Sequence, residues 1–172
     1  TSPMEGGQVV VEAIVVGDFQ WGGDDDGDLG GFYVQEETSD EDGDPLTSEG
    51  VFVYDSGFGV DVAVGERVRV NGFVSEYYGL TQMESLSHVL VCSGGGKATP
   101  AEVALPVTSV DDLEAYEGMS IVMSQPLVIS EFYNFDRYGE IVLTTDRQFQ
   151  PTAIYDPDSP EAAALAEENG LN

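Results

Sequence analysis

Apolar residues recur with a period of two along most of the first ninety positions, the spacing that places alternate side chains on opposite faces of a strand. Gln8 to Phe19 is a long β-rich stretch whose Gly17 suits a bulge or sharp bend late in the strand. Gly31 to Glu36 predicts a second strand, and Val51 to Tyr54 resumes the pairing after a loop from Thr38 to Gly50. Asp61 to Gly65 has turn composition. Between Arg67 and Tyr77, Val68, Val70, Gly72 and Val74 mark one buried face, with Arg67, Arg69, Asn71 and Phe73 opposite. Tyr78-Gly79 allows a bend, Leu80 to Glu84 continues extended, and Ser87 to Cys92 makes another strand.

The pattern then changes. Ser93 to Pro106, with three consecutive glycines and two prolines, predicts a linker or long loop. Ser109 has the character of a helix N-cap, followed by Asp111 and Asp112 at the positive helix end. The helix is expected over Val110 to Tyr116, stopping at Gly118. Met119 to Glu131 and Gly139 to Thr145 are expected as the last two strands. Glu161 to Glu168 is Ala/Glu-rich and helical by propensity, with almost no apolar face to dock. Taken together, residues 1–152 are expected to be all-β: a five-stranded OB-fold barrel with one short helix between strands 3 and 4 and acidic loop insertions. Residues 153–172 are expected as a partly helical junction to a further domain. An immunoglobulin-like sandwich would want about seven strands and no helix at that point.

Composition is consistent with a β-rich domain. Of 172 residues, 41% are hydrophobic and 10% aromatic, enough for a core, and the 21 glycines suit many turns. Charge adds a stronger constraint. With 33 acidic and five basic residues the net charge is −28, so the chain repels itself, nucleic acid and anionic membranes over a Debye length of ~8 Å at physiological salt. A monomer working in high salt, where that length falls to ~3 Å, accommodates acids spread along the whole chain better than a cation-collecting tail does. The single cysteine, Cys92, excludes an intrachain disulfide and suits a small buried residue; His88 beside it has no partner cysteine. No apolar run approaches the ~18 residues of a membrane span, and Thr1-Ser2-Pro3 lacks a basic-then-apolar leader pattern.

Several phrases resemble one known module: Leu29-Gly30-Gly31-Phe32-Tyr33-Val34-Gln35, Asp42 to Tyr54, Val64 to Gly72, Ser75 to Gln82, Leu113 to Met119 and Phe135 to Leu143. In order, and over roughly Val9 to Thr152, they resemble the OB-like domain of bacterial and archaeal extracellular nucleases. That module precedes an endonuclease/exonuclease/phosphatase catalytic domain. The resemblance implies a secreted protein and an adjacent nuclease domain as partner. It also implies that the metal-dependent catalytic residues lie in that following domain, so none is carried over here.

Two kinds of chemistry are open to the residues themselves. An OB barrel binds single-stranded DNA with cations and aromatic faces on which bases stack, at ~1–3 kcal/mol per base. The candidates are Arg67, Arg69, Tyr77 and Tyr78, with Tyr133, Phe135, Arg137 and Tyr138 before the last strand. The alternative is that each arginine pairs with a local carboxylate and the rings plug the barrel ends. The second chemistry is Ca²⁺ binding, which wants six to eight oxygens. Asp24, Asp26 and Asp28, and again Asp40, Asp42 and Asp44, place alternate carboxylates on glycine-bent loops. Neither loop follows EF-hand spacing, and solvated acidic loops are the alternative. A structural Ca²⁺-binding spacer that leaves DNA untouched is thus the second function open to the chain, and a carbohydrate- or surface-binding module a third. Nothing predicts catalysis: His88 has no nucleophile motif beside it, and Gly94-Gly95-Gly96-Lys97 lacks P-loop spacing.

Overall fold

β1 (Gln8–Phe19), β2 (Gly31–Gln35), β3 (Gly50–Tyr54), β4 (Arg67–Tyr77) and β5 (Leu80–Val91) close into a barrel in the order β1-β2-β3-β5-β4. The computed structural model describes residues 2–20, 29–92 and 94–172, apart from the side chains of Arg137 and Tyr138. β1 serves two neighbours. Its first half, Gln8 to Ile14, pairs antiparallel with β4, and Ile14 to Phe19 pairs with β2 across a bulge between Val15 and Gly17. β3 and β5 run parallel through Phe52↔Gln82 and Val53↔Met83. Closure leaves no free edge for a further strand.

Alternation builds the interior. Ala13, Val15, Phe32, Val34, Val53, Val62, Val68, Val70, Met83 and Val89 form one buried cluster. Each fully buried Val, Phe or Met side chain of this cluster is worth ~1.5–3 kcal/mol over its exposed state. A one-residue slip of β4 would turn Val68 and Val70 outward and Arg67 and Arg69 inward, so the core fixes the register. Gln35 is the polar exception. Fully buried at the end of β2, it donates from Nε2 to the Thr99 carbonyl (2.8 Å) and accepts from the Ser120 N–H (3.0 Å).

The chain divides into two compact units: residues through Ala101 with Glu114–Ile121, and Glu102–Leu113 with Val122–Asn172. The first contains the barrel. The barrel differs from expectation in two respects. Leu80 to Val91 is one continuous strand and is the fifth of the barrel, so no helix separates strands 3 and 4. The helical segment does span Val110–Tyr116, as a 3₁₀ helix, but follows β5. Asp112 Oδ2 accepts from the Thr108 (3.0 Å) and Ser109 (2.9 Å) N–H groups at its start. The physical reason is the parallel β3–β5 pairing, which closes the barrel before the glycine-rich segment and which no local pattern announces.

Met119 to Glu131 is not one strand: Pro126, lacking an N–H, splits it into β7 (Ile121–Val122) and β8 (Val128–Glu131). β7 pairs with β6 (Ala101–Glu102) and β8 with β9 (Val142–Thr144), outside the barrel. In the second unit α1 (Phe135–Tyr138) is a single turn capped by Gly139 at φ 66°. α2 (Pro160–Gly170) starts at Ser159, whose Oγ accepts from the Ala162 N–H (3.1 Å). Polar bonds rather than an apolar face hold its end: Val107 N–H to the Leu171 carbonyl (2.8 Å) and Asn169 Nδ2 to the Phe149 carbonyl (3.0 Å). Among the described residues no helix is long and apolar enough to cross a membrane.

Candidate nucleic-acid interface

Strand alternation turns Tyr33, Phe52 and Tyr54 away from the core that Phe32, Val34 and Val53 enter. On the outer face Tyr33 lies opposite Phe52 across β2–β3, and Phe52 opposite Gln82 across β3–β5. The Tyr33 and Phe52 rings have centroids 4.8 Å apart and planes tilted 49°. Phe19 stands edge-on to Tyr33 at 5.9 Å. Two glycines clear the ground for this cluster. A Cβ on Gly17 would meet Phe19 Cε2 at 2.9 Å and Tyr33 Cδ2 at 3.6 Å, and one on Gly31 would meet Phe52 Cζ at 2.8 Å.

The rings line a groove of about 400 Å³ formed by Leu29, Tyr33, Phe52, Tyr54, Tyr77, Leu80, Gln82 and Glu84. Its floor is solid, since Phe52 and Gln82 are only 4% and 5% exposed although they point away from the core. Tyr77 is 59% exposed, and Tyr78 at the tip of the β4–β5 hairpin is 95% exposed, standing edge-on to it at 4.8 Å. Burial, and after it the charge of Glu117, raises the Tyr33 phenol above its ordinary value, so this hydroxyl remains a hydrogen-bond donor. A larger recess of about 460 Å³ opens among inner-face residues Val9, Val11, Val74 and Met83; its described lining has no aromatic ring. The groove therefore offers stacking faces that the recess lacks.

Of the residues singled out by sequence, Tyr77 and Tyr78 reach this surface. Arg67 and Arg69 occupy the other end of β4, roughly 30 Å of strand away from Tyr77. Arg67 Nη2 donates to Glu37 Oε1 (2.7 Å), which holds its guanidinium above the usual range. Arg69 donates from Nε to Glu12 Oε2 (2.9 Å), and its Nη2 bonds the same oxygen. Both are thus committed to local carboxylates. Tyr133 and Phe135, 87% and 60% exposed, belong to the second unit, as do Arg137 and Tyr138, whose side chains lie outside the described residues.

The acidic loops divide likewise. Asp24, Asp26 and Asp28 lie outside the described residues. Asp42 Oδ1 accepts from the Asp44 N–H (2.6 Å) and Asp44 Oδ1 from the Leu46 N–H (3.0 Å), so these carboxylates shape their own loop; Asp40 is exposed. Among the described residues no group of three or more acidic, His or Cys side chains is placed to hold a metal ion.

Sequence reasoning missed Tyr33, Phe52 and Tyr54, the centre of the groove. The available signal was the alternation itself, since a strand that buries Phe32 and Val34 must present Tyr33 on its other face. Comparison with family models, with curated proteins and with solved structures finds no match for this chain.

Proposed function

We propose that this chain is a non-catalytic accessory domain of a secreted, salt-adapted nuclease, and that it binds single-stranded DNA by stacking bases on the rings of Tyr33, Tyr54 and Tyr77. The single observation that carries this reading is one groove on the outer face of β2, β3 and the β4–β5 hairpin that gathers the rings of Tyr33, Tyr54 and Tyr77 over a buried floor of Phe52. The barrel is read as an OB fold: its strand order 1-2-3-5-4 with parallel β3–β5 pairing supports this, and OB folds bind oligonucleotides on the strand 2–3 face. The phrases from Leu29 to Gln35 and from Asp42 to Tyr54, which resemble the nuclease-associated module, contain Tyr33, Phe52 and Tyr54.

Stacking also fits the charge. A chain at −28 cannot attract phosphates over a distance, and counterion release contributes little once salt is high. Contact with base faces survives screening. The test is anisotropy of a labelled single strand in about 2 M salt, where the Debye length is under ~3 Å. Tyr77→Ala should weaken binding ~5- to 150-fold, the equivalent of ~1–3 kcal/mol per stacked base. Arg67→Ala should leave it unchanged. Equal affinity for wild type and Tyr77→Ala overturns the reading.

One observation favours a second reading. Among the described residues the groove lining has one carboxylate, Glu84, and no Lys or Arg, which also suits a neutral carbohydrate stacked on the rings. Binding of neutral oligosaccharides without DNA binding selects that reading.

A further inference from the structure

On the floor of the groove Gln82 is buried, and its Nε2 donates to Glu84 Oε2 (3.1 Å). This bond orients the Glu84 carboxylate and uses one of its roughly four acceptor positions. Glu84 is half-buried and lines the same groove as Tyr33, Phe52 and Tyr77. A fixed carboxylate among aromatic walls repels a phosphate and attracts hydrogen-bond donors. A strand entering the groove therefore turns its bases inward and its backbone out.

The bases differ in what they can offer a carboxylate. Guanine presents two adjacent donors on its pairing edge, N1–H and the 2-amino group, matching two carboxylate oxygens. Adenine and cytosine each present one amino donor beside an acceptor nitrogen. Thymine presents two carbonyls around a single N–H, and the carbonyls oppose a carboxylate. We propose that Glu84 makes this groove selective for guanine within single-stranded DNA and discriminating against thymine, a specificity that rests on the DNA-binding reading above.

The experiment uses the whole chain in about 2 M salt with three labelled oligonucleotides: all-thymine, the same strand with one central guanine, and the same strand with hypoxanthine there, which keeps N1–H and lacks the 2-amino group. The guanine strand should bind about 10-fold more tightly than all-thymine, within the discrimination a bidentate base contact provides, with hypoxanthine between them. Glu84→Gln should abolish the guanine preference while still binding all-thymine, which also reports that the variant is folded. Equal binding of the guanine and thymine strands by wild type, or a preference that survives Glu84→Gln, overturns the inference and leaves the DNA reading standing. Failure of every strand to bind overturns both.

Discussion

Gly31 makes room for Phe52: a Cβ at position 31 would lie 2.8 Å from the Phe52 Cζ and 2.1 Å from the Val53 carbonyl oxygen. The carbonyl cannot retreat, because Gly31 pairs with Tyr54 and Phe32 with Val53 in the β2–β3 ladder. Gly31→Ala should therefore cost ~2 kcal/mol or more, at the upper end of overpacking penalties, read as a lower urea midpoint. Gly43→Ala is the control. Gly43 has φ 73° with nothing within 4 Å of its would-be Cβ, so it should show only the smaller cost of a left-handed alanine, ~1 kcal/mol.

The same pair shows what the sequence reveals and what it hides. Gly-Phe-Tyr-Val-Gln announces a strand and, by alternation, separates Phe32 and Val34 from Tyr33. It does not say that Phe52, further along the chain, will lie over Gly31, because that follows from which strands become neighbours. β1 to β4 were legible from short-range pattern, whereas β5 read as two pieces, Leu80 to Glu84 and Ser87 to Cys92. The parallel β3–β5 pairing was not, and with it went the position of the helix and the location of the groove. Arg67 and Arg69 stood out as rare cations, yet their partners Glu37 and Glu12 come from 30 and 57 residues away.

Gln35 couples the end of β2 to two backbone groups, the Thr99 carbonyl and the Ser120 N–H. Replacing it by methionine keeps the volume and removes both bonds. Both bonds are part-buried and each is worth ~0.5–1.5 kcal/mol, so Gln35→Met should lower stability by ~1–3 kcal/mol. Hydrogen exchange at the Ser120 amide should accelerate in the variant; unchanged protection there would show that the bond carries no weight.

Glu49 sets a pH dependence of the opposite sign to the usual carboxylate. Burial first, then its hydrogen bond with Glu36 and the charge of Asp42, push its carboxyl from 4.5 up to about 7. The folded state thus holds a proton that the unfolded state has already released between those values. Its stabilising contribution is complete below pH 4.5 and is lost as pH rises to about 7. Glu76 behaves conversely. The Ser2 N–H and Thr81 hydroxyl lower its value, so its contribution is lost only as pH falls below the ordinary carboxylate range. Denaturant midpoints measured across this window should decline with pH more steeply for wild type than for Glu49→Gln. Parallel profiles would show that Glu49 titrates normally.

Tyr78 separates stability from binding. It and Gly79 have φ of 52° and 92°, the positive values that a type I′ hairpin turn requires and that Asn-Gly supplies most readily. A tyrosine 95% exposed in this conformation buries almost nothing. Asparagine there should recover ~0.5–1 kcal/mol of backbone strain and lose a ring contact with Tyr77 worth ~0.5 kcal/mol at an exposed site. The two nearly cancel, so Tyr78→Asn should leave the thermal midpoint almost unchanged. If the tyrosine is placed there to extend the stacking surface beyond Tyr77, the variant should still bind single-stranded DNA several-fold more weakly in high salt. A variant that is equally stable and binds equally well would confine the stacking surface to Tyr33, Tyr54 and Tyr77.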